Sequence, residues 1–260
     1  MTASLNISAW AAALLAAYPS TAARQSRLPA TSARGPENAA AAYAVQAAVW
    51  AAQAGAVRPT VWKVAAASRD STPIAAPILP NRVFRQGGDV PAALFHQVGV
   101  EAELAFRFDA DLPVRPAPYR ADEIRAAIGS AHVALELVDT RLADAAAAGP
   151  FWRLADNLLN GGFVLGEAVP DWQALDLETL EVRVLAEGRC LADTRGNPPL
   201  GNPLHCLPWW VAHVGGVRAG DVVTTGAWNG MHVLAAPGTV RAEFVGLGQA
   251  AFSLRAEHLA

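Results

Sequence analysis

At about residue 60 the sequence changes character, and no other feature limits its fold as tightly. Before that point two alanine-rich segments, roughly 8–18 and 37–54, have helical composition, and the second opens after Pro36 and stops at Gly55. Between them "STAARQSRLPATSARG" reads as a connection. Beyond residue 60, short runs rich in Val and Leu are separated by Gly, Pro, Asn and Asp. This pattern predicts strands over 61–66, 99–108, 132–138, 162–166, 179–186, 221–227 and 239–254. "LEVRVLAEGRCLAD" alternates apolar and polar residues around Glu187-Gly188, which predicts a hairpin with one face in the core. "NPLHCLPWWVAHV" predicts a helix after Asn202-Pro203. The expected class is therefore α+β, with an N-terminal helical part (1–58) and a β-rich body (59–260) in one continuous unit.

At 260 residues the chain can bury a substantial core, and a composition 53% hydrophobic and 17% charged excludes a disordered class. A net charge of −3 without a Lys/Arg cluster argues against nucleic-acid binding, so the expected partner is a small soluble molecule. Cys190 and Cys206 form no Cys-x-x-Cys pair and are expected as reduced, partly buried thiols. No base precedes the apolar stretch near the start, where the first is Arg24, so that stretch reads as an amphipathic helix rather than a signal peptide. With no uninterrupted apolar run of membrane-spanning length, the expectation is a cytoplasmic protein without a membrane span. The six scattered histidines are expected to be structural.

The chemistry concentrates in "GVEAELAF", residues 99–106. Glu101 and Glu103, two positions apart, share one face of a strand, while Val100, Ala102, Leu104 and Phe106 fill the other. Two acids at this spacing also describe a solvent-facing strand. Turned inward they require a cation, and a hard divalent ion with oxygen ligands is the natural solution. "ALELVDTR", residues 134–141, supplies Glu136 and Asp139 in a second apolar run, with Arg141 close by. Three oxygen donors leave coordination positions open for water and a chelating substrate.

Seven segments in order carry a resemblance: "AAYAVQ", "VWKVAAAS", "VEAELAF", "ALELVDTR", "ADNLLNGGFVLG", "GNPLHCLPWWVAHV" and "AGDVVTTGAWNGMHVLAAPG". Together they resemble the fumarylacetoacetate hydrolase superfamily, in its 2-keto-4-pentenoate hydratase and 4-oxalocrotonate decarboxylase branch. The resemblance implies a mixed β-roll with outer helices, in a homo-oligomer that can associate with a related decarboxylase or hydratase. It implies Mg²⁺ or Mn²⁺ on Glu101, Glu103 and Glu136, and leaves Asp139 either as a further ligand or as the group that orients Arg141. Lys63 matches the active-site lysine, Thr225 and Gly226 the strand that closes on the 2-oxo acid end, and Asn157 and Gln46 positions near the pocket.

The implied reaction is addition of water to a 2-hydroxy-2,4-dienoate, giving a 4-hydroxy-2-oxo acid in aromatic catabolism. The chain departs from the pattern at a loop where the branch carries an acid before a proline. Here Thr72 precedes Pro73, and Asp70 is the candidate replacement. The glycines expected around the lysine are replaced by Val61 or Trp62 and by Ala65. That departure keeps alternatives open: a metal-dependent decarboxylase or C–C hydrolase of a 2-oxo acid, or a non-catalytic partner subunit.

Overall fold

The computed structural model describes residues 2–20, 25–29, 35–196 and 200–256; residues 21–24 and 30–34 of the expected connection lie outside them. Two long helices come first, α1 (Thr2–Ala16) and α2 (Ala39–Ala54). The Asn38 side chain caps α2 by accepting from the Ala41 N–H, and Gly55 ends it at φ 68. Ala11 and Leu14 of α1 pack with Ala42, Val45 and Val49 of α2, and with Leu142, Trp152 and Leu154 from further along the chain. The helical part is thus anchored to the β body by its own apolar cluster.

The strands in chain order are β1 (Val61–Ala65), β2 (Ile74–Pro77), β3 (Val83–Phe84), β4 (Asp89–Pro91), β5 (Gly99–Phe108) and β6 (Ile128–Val138). They continue with β7 (Asn160–Leu165), β8 (Glu181–Ala186), β9 (Arg189–Arg195), β10 (Val222–Thr224), β11 (His232–Val233), β12 (Gly238–Phe244) and β13 (Gly248–Arg255). Four short helices complete the set: α3 (Ala121–Ala127), α4 (Ala145–Ala148), α5 (Pro150–Ala155) and α6 (Leu207–His213). The larger sheet runs β2-β1-β10-β5-β6-β7-β3, with β11 also on β5; the smaller runs β4-β13-β12-β8-β9. The main core lies between them. Val100, Ala102, Leu104, Phe106 and Phe108 of β5 are completely buried and share one cluster with Val182, Val184, Val240, Phe244 and Phe252 of the smaller sheet. Full burial of each large side chain contributes roughly 1.5–3 kcal/mol.

The hairpin at Glu187-Gly188 forms as expected, both residues taking the positive φ (49 and 74) that a two-residue turn needs. The single strand expected over 239–254 is two, β12 and β13, paired through a turn in which Gly246 takes φ 84. Apolar residues on both sides of Gly246 and Gly248 let the two strands read as one. α6 starts only at Leu207, with Pro208 in its first turn, because 201–206 is spent in turns. Cys206 is buried, but Cys190 is exposed on the edge strand β9, correcting the expectation of two partly buried thiols. Among the described residues no helix is long and apolar enough to cross a membrane.

Candidate metal centre

The register of the larger sheet decides which way the acids face. β5 and β6 run antiparallel with Glu101 directly opposite Glu136, and Glu103 opposite Ala134 on the same face. On the other side of β5, Thr224 of β10 lies opposite Ala105 and beside Lys63 of β1. Lys63, Thr224, Glu101, Glu103 and Glu136 therefore share one face, opposite to that carrying the main core. This face is covered: Glu103 and Glu136 are fully buried and Glu101 is half-buried. Each of the three glutamates offers a carboxylate oxygen within 4.8 Å of the other two.

The hydrogen bonds divide each buried carboxylate into a held oxygen and a free one. Glu136 Oε1 accepts from Lys63 Nζ at 2.5 Å and from Asn160 Nδ2 at 2.8 Å. Glu103 Oε2 accepts from the Thr224 hydroxyl. Glu136 Oε2 and Glu103 Oε1 are buried with no hydrogen-bond partner among the described residues. Burying such oxygens without a partner costs free energy that a coordinated cation would offset. An all-oxygen donor set with free lone pairs fits a hard divalent ion.

The charges are equally unbalanced, three carboxylates against one ammonium. Burial, reinforced by the charge of Glu136 and opposed by Lys63, raises the Glu101 carboxyl to about 7. Burial and Glu136 hold Glu103 well above the usual carboxylate range. Burial alone would lower the pKa of Lys63. The charges of Glu136, Glu101 and Glu103 outweigh it, so the net direction is up and the lysine keeps its proton.

A left-handed backbone run completes one wall. Asn157, Leu158 and Leu159 take φ 49, 53 and 63, and the Leu158 carbonyl accepts from Lys63 Nζ at 3.2 Å. Arg141 braces this run by donating to Asp156, to the Asp156 carbonyl at 2.8 Å and to the Asn160 carbonyl at 2.9 Å. The expected Asp139–Arg141 orientation is thereby corrected. The ion pair of Arg141 is with Asp156, while Asp139 accepts from the His96 and Gln97 amides at 3.0 and 3.2 Å.

The remaining candidates sit as follows. Thr225 donates its hydroxyl to the Leu104 carbonyl at 3.1 Å, and Gly226 follows it at φ 94. Asn157 is buried and reaches the Tyr18 hydroxyl at 3.5 Å. Gln46, on α2, donates to the Leu154 carbonyl at 3.0 Å and ties that helix to α5. Asp70 lies on an exposed turn, with no hydrogen bond or ion pair to the cluster among the described residues. Thr224, Asn160 and the Leu158 carbonyl, none of them singled out from sequence, are the groups that touch Glu103, Glu136 and Lys63. Each lies one to three positions from a residue that was.

The chain matches the model of the fumarylacetoacetate (FAA) hydrolase C-terminal family over residues 44–255. It is 33% identical to a 2-keto-4-pentenoate hydratase of Burkholderia vietnamiensis over 66% of each chain, and 32% identical to one of Paraburkholderia phymatum over 68% of each. These alignments span about two thirds of the curated relatives' length. In fold it is similar to 4-oxalocrotonate decarboxylase from Pseudomonas putida G7 complexed with magnesium and adipate. The TM-score is 0.78 at 22% identity, covering 96% of this chain and 97% of that one. It is also similar to fumarylpyruvate hydrolase from Pseudomonas aeruginosa with Mn²⁺ and pyruvate. There the TM-score is 0.59 at 14% identity, covering 77% and 91%.

Proposed function

Because the chain belongs to the fumarylacetoacetate hydrolase family, we propose that it is a divalent-metal-dependent hydro-lyase. It adds water to a 2-hydroxy-2,4-dienoate, through its 2-oxo-enoate form, to give a 4-hydroxy-2-oxo acid. The observation that carries the reading is the pair of buried oxygens on Glu103 and Glu136, without a hydrogen-bond partner among the described residues, beside Glu101. These three residues would hold Mg²⁺ or Mn²⁺, whose chemistry is to polarise the 2-oxygen and carboxylate of a 2-oxo acid.

The chain's own groups do the rest. Lys63 Nζ, fixed between Glu136 Oε1 and the Leu158 carbonyl, holds a proton and a positive charge beside the 2-oxygen, where negative charge develops. Held as an ammonium against Glu136, it serves as a hydrogen-bond donor and electrostatic partner in preference to a base. Gly226, whose positive φ disfavours any side chain, lets the backbone after Thr225 approach the substrate carboxylate closely. Asn157 and Gln46 act further out, Asn157 through Tyr18 and Gln46 by holding α2 to the Leu154 carbonyl. Asp70 would activate water once substrate is bound.

The exposed position of Asp70 favours a second reading, in which the same site decarboxylates or cleaves a 2-oxo acid without water activation. A homo-oligomer, associating with a related decarboxylase or hydratase, belongs to the same proposal. The test is to incubate the protein and Mg²⁺ with 2-hydroxypenta-2,4-dienoate and with 2-oxohex-3-enedioate, with and without EDTA. EDTA-sensitive consumption of the first, yielding 4-hydroxy-2-oxopentanoate, is expected. CO₂ release from the second alone would transfer the assignment to the decarboxylase reading. No turnover of either, but a changed rate in an added partner enzyme, would identify a non-catalytic subunit.

A further inference from the structure

The match to the family model begins at residue 44, so α1 and the residues just after it lie ahead of the family-matched region. They nevertheless grip the wall of the metal centre. Past the end of α1, three consecutive residues are each held by a different part of the β body. The Ala17 carbonyl accepts from His96 Nε2 at 2.7 Å, the Pro19 carbonyl accepts from Arg82 Nη2 at 3.2 Å, and the Tyr18 hydroxyl lies 3.5 Å from the Asn157 amide. Leu28 then donates its N–H to the Arg141 carbonyl at 2.7 Å and accepts from the Ala143 N–H at 2.8 Å.

Among these contacts Tyr18 is the ring that two buried guanidiniums share. The Arg141 guanidinium lies 4.7 Å from its centroid and that of Arg82 6.0 Å. Arg82 forms no ion pair among the described residues. Its charge is met by the carbonyls of Leu94 and Pro19 and by the faces of Tyr18 and Phe95. Arg141 in turn donates to the carbonyls of Asp156 and Asn160, on either side of the left-handed run, and that run offers the Leu158 carbonyl to Lys63 Nζ. The ring of Tyr18 therefore stands behind the backbone that fixes the ammonium.

We propose that Tyr18 is a positioning residue of the site: its ring, laid on Arg141, holds the 157–159 run in place and through it the ammonium of Lys63. This inference rests on the reading that Lys63 serves the reaction, and it extends the site's machinery to residues ahead of the family-matched region.

Lys63 is the only lysine in the sequence, so protein labelled with ¹⁵N at the lysine side-chain nitrogen gives a single resonance that reports this ammonium directly. The test compares wild type, Tyr18→Phe and Tyr18→Leu by that resonance in the metal-free protein, by Mn²⁺ affinity, and by kcat and KM for whichever of the two substrates named above the wild type consumes. Tyr18→Leu should move the resonance toward that of free lysine and lower kcat by about tenfold, with KM and Mn²⁺ affinity within about twofold of wild type, since the three glutamates stand on their own strands. Tyr18→Phe keeps the ring and loses only a 3.5 Å contact, so it should restore the resonance and bring kcat to within about twofold of wild type. A wild-type resonance and kcat in Tyr18→Leu would overturn the proposal. So would Tyr18→Phe as impaired as Tyr18→Leu, because the ring would then not be the agent. Loss of Mn²⁺ affinity in step with kcat would overturn it as well, the damage then being to the body as a whole. A wild type that consumes neither substrate would bring down the catalytic reading alone, and the resonance would still decide whether Tyr18 places the ammonium.

Discussion

Two buried charged centres adjoin at the end of β6, where Glu136 is followed closely by Arg141, and they are built on opposite principles. Around Arg141 and Asp156 everything is closed. The guanidinium donates to the Asp156 carboxylate and to the carbonyls of Asp156 and Asn160, and Asp156 Oδ2 accepts from the Thr140 hydroxyl and the Arg141 amide. Tyr18 stacks over the cation at 4.7 Å. Around Glu101, Glu103 and Glu136 the chain supplies donors for one oxygen of each fully buried glutamate and leaves the other bare. Burial alone does not separate architecture from chemistry here. The unsatisfied valence does: a closed ionic network stabilises the native arrangement, whereas an open one anticipates a ligand.

The contrast makes graded predictions. The largest effect belongs to the closed centre: Asp156→Ala strands a buried guanidinium and should cost roughly 3–5 kcal/mol in urea denaturation, with no recovery on adding Mg²⁺. Next, Glu103→Gln should reduce Mn²⁺ affinity by more than about a hundredfold while leaving the metal-free protein as stable as wild type or more so. Undiminished Mn²⁺ binding would erase the distinction between the centres. Thr224→Val, removing the hydroxyl that holds Glu103 Oε2, should weaken Mn²⁺ by about ten- to a hundredfold with little change in melting temperature.

Per pH unit, the effect of acidity is the smallest. Glu101 binds its proton more tightly in the native state, releasing it near 7 instead of the ordinary 4.5. Mn²⁺ affinity should therefore fall by roughly tenfold per unit as pH drops below 7. The same shift predicts that metal-free stability declines as pH rises from 4.5 to about 7, because the unfolded chain releases this proton first. Flat profiles from pH 5 to 8 would refute both.

The inward acids were legible because strand periodicity is simple and "VEAELAF" and "ALELV" each have an unambiguous phase. What failed to show was phase where periodicity breaks. In "VVTTG" two threonines adjoin, and only the register with Lys63 reveals that Thr224, not Thr225, turns toward Glu103. In "ADNLLNGG" the left-handed run shifts which side chain faces the cluster, so Asn160 reaches Glu136 while Asn157 turns toward Tyr18. Leucines at positive φ are signalled by nothing local, since their conformation is imposed by Arg141 from another strand's end.

The conformation of Leu158 and Leu159 also sets a tension between durability and turnover. A branched side chain at φ 53 or 63 is disfavoured by roughly 1–2 kcal/mol per residue, so glycine there would relax the backbone. The same relaxation would free the Leu158 carbonyl that steadies the Lys63 ammonium. Selection for heat resistance alone would favour the glycine, and selection for activity would keep the leucine. The segment 157–159 is thus where attempts to harden this protein should first be seen to slow it.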